Sequence, residues 1–385
     1  MSSTTVNYPT EFKGFAVADP EKWDKPELIS FEPKKFTDED VDIEIECNGV
    51  CGSDLHMLKN DWSPDRKTMV CHASKYGPKA QVVGHEIVGK VVKKGDKVKD
   101  LQIGQRVGVG ATCYACGECR NCKKGYENHC VNIIGTYGSL YPDGYASQGG
   151  YASHIRCSSS MVFPIPDGVE SEYVGPLLCG GLTVFSPIRR HITPVLEKGL
   201  VPEVGVVGIG GLGHMAVIIA KALGANVTAI SRSYTKKEDA FKMGATDFIA
   251  TGDEKTEWAK YAQKFDLIIN CATTNANTDV NRLASMLSVG SAIVSVGVGE
   301  LSETFTIAPF AFVMGGCGFF GSAIGSRQDA LDLLKLASEK DIKPWVETVP
   351  ISEENVNNVL TRMDKGDVKY RFTLNKYHEF FNKAK

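Results

Sequence analysis

Two rhythms of apolar and polar residues divide the chain. Up to about residue 175 the apolar stretches are short and the period is two. Val41-Asp42-Ile43-Glu44-Ile45 alternates. Residues 86–92 and 106–109 are brief apolar runs bounded by glycine and charge, and Gly95-Asp96 and Pro142-Asp143-Gly144 supply turns. Short strands at this spacing predict a partly closed antiparallel barrel. Beyond residue 175, apolar runs at 204–207, 227–230, 248–249, 267–270 and 292–296 alternate with helical stretches at 215–223 and 236–243. That alternation predicts a parallel α/β sheet. From 327 to 339 apolar residues recur at Ala330, Leu331, Leu334 and Ala337, a helical period, and the tail is expected to return to the first unit.

A chain of 385 residues suits two domains, and 43% hydrophobic residues is ordinary for a globular protein. The net charge of −3, with no long basic run, gives nucleic-acid binding no electrostatic support. The most apolar region, 204–225, is interrupted by six glycines and reads as strand, loop and helix, not as a membrane span. The start, Met1-Ser2-Ser3-Thr4-Thr5, lacks a charged segment followed by an apolar one, so a cytoplasmic protein is expected. Twelve cysteines would suggest disulfides in a small secreted domain. In a chain of this length, clustered at metal-like spacing, they read instead as thiols with metal duties. Cys47, Cys71, Cys113, Cys157, Cys271 and Cys317 are expected to be small buried hydrophobes.

Cys116, Cys119, Cys122 and Cys130 follow the spacing C-x2-C-x2-C-x7-C. Four thiols so close suit a soft tetrahedral ion, and closed all-thiolate sites usually hold structural zinc. An iron–sulfur cluster is the rival, because C-x2-C-x2-C opens a ferredoxin motif. That motif continues with three residues and then Cys-Pro, whereas here seven intervene and Val131 follows.

Gly208-Ile209-Gly210-Gly211-Leu212-Gly213 is a G-x-G-x-x-G string after the strand 204–207 and before a helix beginning near His214. In that context the glycines allow a tight turn and close backbone approach, and the helix N-terminus attracts a pyrophosphate. The next strand ends without the acid that would bind a ribose 2′-hydroxyl. It carries Ser231 and Arg232 instead, with Lys236 nearby, a set suited to a 2′-phosphate and hence to NADP.

Cys51-Gly52-Ser53-Asp54-Leu55-His56, Gly84-His85-Glu86 and Leu178-Cys179 add thiols, imidazoles and carboxylates that spacing alone does not bring together. With the four-cysteine lobe and the Gly208 loop, in this order, they resemble the zinc-dependent medium-chain alcohol dehydrogenases. Residues 179–187 and Lys369-Tyr370-Arg371-Phe372 resemble the cinnamyl alcohol dehydrogenase branch, including its fungal NADP-dependent alcohol dehydrogenases. The resemblance implies an α/β fold: a GroES-like partly closed β-barrel catalytic domain (1–175 and 325–385) plus a Rossmann doubly wound parallel sheet (176–324). It implies two Zn2+ per chain. One, catalytic, would sit on Cys51, His85 and Cys179, with Glu86 closing the site at rest; the other, structural, would sit on the four-cysteine lobe. Asp54 would orient His85, and Ser53 with His56 would relay the proton. Thr183, Ser322, Ala323 and Ile324 would hold the nicotinamide and its ribose. The implied reaction is reversible hydride transfer between NADP(H) and aromatic or medium-chain aliphatic aldehydes, in a homodimer. Trp62, Tyr114 and Phe305 are candidate pocket aromatics.

One departure from the family pattern lies between Cys51 and His85, where residues 63–79 form a polar insertion expected to be a mobile surface loop. Its Cys71 and His72 are too few for a third metal site. A smaller insertion at 193–200 is expected to extend a loop. A polyol dehydrogenase would share the metal and nucleotide parts. A non-catalytic NADPH-binding zinc protein would not need Cys51, Ser53 and His85 together.

Overall fold

The alternating segment around residue 41 becomes the strand Asp40–Val50, whose inward residues Val41, Ile43 and Ile45 are buried. The computed structural model describes residues 9–272, 278–299 and 301–382. In it, seven strands form the first large sheet, in the order Val162–Pro164, Arg106–Val109, Ile87–Lys94, Asp40–Val50, Arg371–Asn375 and Val346–Pro350, with His154–Ser158 also paired to Asp40–Val50. The tail therefore does return: Thr373 lies opposite Gly49, and Ile45 opposite Gly89. The predicted antiparallel pattern has one exception. Val346–Pro350 and Arg371–Asn375 run parallel, because the helix Glu353–Asp364 between them supplies the crossover that a parallel pair needs. Phe12, Phe15, Tyr151, Phe372 and Tyr377 fill the core beneath this sheet.

The second sheet has six parallel strands in the order Asp247–Ala250, Asn226–Ser231, Glu203–Val207, Phe265–Asn270, Leu287–Ser295 and Gly318–Gly321. Numbered along the chain this is 3-2-1-4-5-6, the doubly wound dinucleotide-binding order, with the glycine-rich loop at the point where the order reverses. Five strands match the apolar runs. The sixth, Gly-Phe-Phe-Gly, is too short and glycine-flanked to announce itself.

The helix Leu182–Leu196 follows a π-helical turn at Leu177–Gly181 and continues through Pro187 and Pro194. The segment expected to be a loop at 193–200 is thus helical to Leu196. The 63–79 insertion also departs from expectation. Residues 64–68 are exposed, but Met69, Cys71 and Ser74 are buried. Lys75 N–H donates to Gly144 O at 2.7 Å, and His72 Nε2 lies 2.8 Å from Ala18 O. Two buried apolar anchors and these bonds pin a segment whose overall polarity concealed them. Five of the six unassigned cysteines are buried as expected. Cys317 is only partly covered, because it leads the edge strand.

Candidate active site

The ends of three elements converge. Cys51 follows the strand Asp40–Val50 and caps the start of the helix Gly52–Leu58; His85 and Glu86 precede the strand Ile87–Lys94; Cys179 lies in the π-helical turn. All four are buried, and their ligand atoms lie within 4.8 Å of one another. Cys51 Sγ and Cys179 Sγ are 3.8 Å apart, and His85 Nε2 is 2.9 Å from Cys179 Sγ. A tetrahedral ion with metal–sulfur bonds of ~2.3 Å has sulfur–sulfur edges near ~3.8 Å, so the thiols fit zinc. Glu86 strengthens the fit. One carboxylate oxygen pairs with Arg371, while Oε2 is out of solvent with no donor among the described residues. An acceptor orphaned beside thiols and an imidazole is what a bound cation would satisfy.

Asp54, fully buried, binds the converging segments together. Its Oδ2 accepts from Cys51 N–H at 2.9 Å and Tyr151 O–H at 3.0 Å. Its Oδ1 accepts from Gly84 N–H at 3.2 Å and lies 3.3 Å from His85 Nδ1. Tyr137 OH lies 2.8 Å from that same Nδ1. With Nδ1 engaged, Nε2 is the nitrogen free to bind metal. Gly49 is also required here, since a Cβ would sit 1.9 Å from Glu86 Oε2. Tyr137 and Tyr151 were not anticipated, because no local pattern marks them; Arg371 stood in a family-resembling motif, but its pairing with Glu86 was not anticipated.

The electrostatics follow from burial. The Cys51 thiol is drawn well below its ordinary value, chiefly by its hydrogen bond with Cys179 and against the cost of desolvation; Cys179 is pushed up in turn. Burial disfavours charge on His85, but Asp54 and Cys51 outweigh it and hold the imidazole well above its usual range. Desolvation raises Glu86 to about 7, with Arg371 opposing.

In the lobe, Cys116, Cys119, Cys122 and Cys130 also place their sulfurs within 4.8 Å of one another. Cys119 and Cys122 are 3.5 Å apart, and Cys116 and Cys130 are 3.4 Å apart, near a tetrahedral edge. Backbone N–H groups point at the sulfurs: Cys116 N and Asn132 N at Cys130 Sγ, both 3.3 Å, and Cys119 N at Cys116 Sγ, 3.4 Å. Such donors favour thiolate, the form that binds metal. The backbone of Cys122 and Val131 brings Cys119 down to about 6.

At the glycine loop, Gly208 has φ 83°, and a Cβ on Gly213 would meet Gly208 O at 1.8 Å. A Cβ on Gly210 would meet nothing within 4 Å, so this position is an open cradle ahead of the helix Gly213–Ala222. Gly211 abuts the Arg371 side chain, and Leu212 is the residue before that helix. Ser231 ends the second strand, exposed Arg232 follows, and Lys236 Nζ donates to Ile209 O at 2.5 Å. The donor set fits a phosphorylated nucleotide, with Lys236 close to the loop. Thr183 is buried one turn beyond Cys179. The loop 321–325, carrying Ser322, Ala323 and Ile324, packs on the same helix; a Cβ on Gly325 would lie 2.7 Å from Leu182 Cδ1.

Ser53 and His56 are three residues apart on one helix and share a face. Ser53 Oγ lies 3.7 Å from Cys51 Sγ. No direct hydrogen bond joins Ser53 to His56 among the described residues. His56 Nδ1 pairs with Asp61 Oδ2 at 2.9 Å, and its ring stacks on Trp62 at 5.1 Å, a pairing visible only after folding. Trp62 therefore covers His56. Tyr114 lies on the strand Thr112–Tyr114, near Cys116 and Cys130, while Phe305 packs on Phe319 at 5.3 Å. Among the described residues no ring contact joins either to the metal residues. Cys71 and His72 join neither metal group.

Known proteins share this arrangement. Residues 37–167 match the alcohol dehydrogenase GroES-like domain, and residues 211–339 match the zinc-binding dehydrogenase domain. The chain is 44% identical to NADP-dependent alcohol dehydrogenase 6 of Saccharomyces cerevisiae, over 98% of its own length and 100% of the relative's. It is 35% identical to a probable cinnamyl alcohol dehydrogenase of Arabidopsis thaliana, over 89% of each chain. The solved cinnamyl alcohol dehydrogenase of Sorghum bicolor superposes with TM-score 0.81 at 31% identity, covering 95% of this chain and 97% of that one. The Helicobacter pylori enzyme, solved with NADP(H), gives 0.79 at 26% identity, covering 95% and 98%. Joined to the clustered thiols and the doubly wound sheet, these likenesses place the chain in the zinc-dependent medium-chain alcohol dehydrogenase family, within its cinnamyl alcohol dehydrogenase branch.

Proposed function

We propose that the protein reduces aromatic and medium-chain aliphatic aldehydes with NADPH, and oxidises the corresponding primary alcohols in reverse. The observation that carries this is the buried cluster of Cys51, His85 and Cys179, with the orphaned Glu86 Oε2 beside it. Cys51, His85 and Cys179 would hold the catalytic Zn2+, and Cys116, Cys119, Cys122 and Cys130 a structural one. The bound groups supply hydride from the nicotinamide and an electrophilic pull on the carbonyl oxygen.

The chain's own residues do the rest. Arg371 gives Glu86 a second partner, so the carboxylate can leave the ligand position without becoming an unpaired buried charge. Ser53 hands a proton to the substrate oxygen, and His56, partly exposed, resupplies it from solvent through a bridging hydroxyl or water, since the two side chains are not bonded directly. Asp61 holds the His56 ring in place. Trp62 covers that ring and narrows the pocket. The Gly208–Gly213 loop takes the pyrophosphate, Ser231, Arg232 and Lys236 the 2′-phosphate, and Thr183 with 322–324 the nicotinamide half. Residues 1–175 and 325–385 form the catalytic domain, and 176–324 the nucleotide domain. The working unit is a cytoplasmic homodimer.

The test is NADPH oxidation against cinnamaldehyde, benzaldehyde, hexanal and a polyol control. Turnover of the aldehydes is expected. Cys51→Ser and His85→Ala should abolish it while NADPH fluorescence still reports binding. Full turnover in metal-stripped protein would sink the zinc assignment, and preference for sorbitol oxidation would favour a polyol dehydrogenase.

A further inference from the structure

The four-cysteine lobe reaches the loop 321–325, and the contact falls beside a backbone conformation the loop would not choose alone. Ile324 has φ 54°, in the left-handed region that a β-branched residue rarely occupies. The neighbouring Gly325, which could adopt that conformation freely, is used for space against Leu182 instead. The unusual turn must therefore be imposed from outside.

Two residues of the turn Glu127–His129, just ahead of Cys130, impose it. Asn128 Nδ2 donates to Ala323 O at 2.7 Å, one residue before Ile324. Glu127 Oε2 accepts from Arg327 N–H at 3.3 Å, at the start of the helix Arg327–Lys340. On the loop's other flank, Ser322 N–H donates to Ser295 O at 3.1 Å. The orientation of the Asn128 amide is determined, since a carbonyl can accept only from its NH2 group.

We propose that Asn128 is a positioning residue for the cofactor. By holding the Ala323 carbonyl it keeps Ile324 left-handed, and so keeps 322–324 in its bound shape before NADPH arrives. The inference rests on the assignment of that loop to the nicotinamide half made above. A preformed loop binds more tightly, because the ordering cost is not charged against the cofactor.

The experiment uses the full-length, zinc-loaded protein and NADPH fluorescence. Asn128→Asp keeps the shape and removes the donor. It should raise the NADPH Kd about tenfold, the effect of about one hydrogen bond, with zinc content unchanged. If Asn128→Asp sheds lobe zinc, Asn128→Ala is measured with the same expectation. An unchanged Kd overturns the clamp. Hydrogen exchange of the 321–326 segment, with and without NADPH, separates the two layers. Protection in the wild type with no effect of Asn128→Asp defeats the clamp alone, and no protection defeats the loop assignment and the clamp with it.

Discussion

His214 shows how much one side chain can depend on partners far away in the chain. Its string position suggested only a helix start. Folded, it is fully buried: Nδ1 lies 3.1 Å from Gly210 O, Nε2 accepts from Trp345 N–H at 3.3 Å, and its ring stacks on Tyr370 at 5.3 Å. Burial first, then the Arg371 charge, bring its pKa down to about 3. The unfolded chain therefore binds a proton near its ordinary value of ~6.5 that the folded chain refuses. Its contribution is complete above pH ~6.5 and is lost progressively as pH falls towards 3. Between pH 6.5 and 5 the loss should be about 2 kcal/mol. The stability advantage of wild type over His214→Asn, measured by denaturant unfolding, should shrink by that amount. An advantage that stays constant would mean the imidazole titrates freely. Arg371 belongs with His214: its carboxylate partner is 285 residues away, so nothing near it in the chain foretold the pair.

Among elements, those with a local signature were legible. The glycine string announced a strand–loop–helix unit because its turn is partly a local matter: a Cβ on Gly213 would strike Gly208 O within the loop itself. The end of the strand Asn226–Ser231 lacks the acid that would bind a ribose 2′-hydroxyl, and that absence carries the NADP reading. Ser231→Asp with Arg232→Ile should therefore shift the ratio of kcat/KM for NADPH over NADH by tenfold or more towards NADH, about 1.4 kcal/mol. An unmoved ratio would place the 2′-phosphate contact elsewhere. Elements whose formation depends on packing were misjudged. The 63–79 insertion looked like a free loop because its polar residues outnumber Met69 and Cys71, yet those two enter the core. The helix through Pro194 persists because its buried face, from Leu182 to Ile192, holds it against the parallel sheet.

At the scale of the molecule, one surface is unfinished. The strand Gly318–Gly321 lies at the edge of the parallel sheet, and Phe310 and Val313 on the adjacent helix are each 76% exposed. A paired edge with covered apolar side chains is the stable outcome. Phe310→Asp with Val313→Asp should convert a sedimenting dimer to a folded monomer of half the mass. Wild type already sedimenting as a monomer would rule out this interface. By itself the sequence determined what neighbouring residues can settle: the all-thiolate lobe within fifteen positions, the phosphate loop, the basic end of the second strand, and the two rhythms that divide the fold. Spacing could not bring Cys51 and Cys179, 128 residues apart, to His85; the family resemblance implied that site, and the tertiary structure assembles it. Tertiary structure alone added Tyr137, Tyr151 and the Glu86 partner Arg371 to the expected Asp54. Side-chain spacing specifies geometry only within a turn or a loop. Across two domains, the meeting of buried charges depends on which surfaces pack, and that is a property of the whole chain.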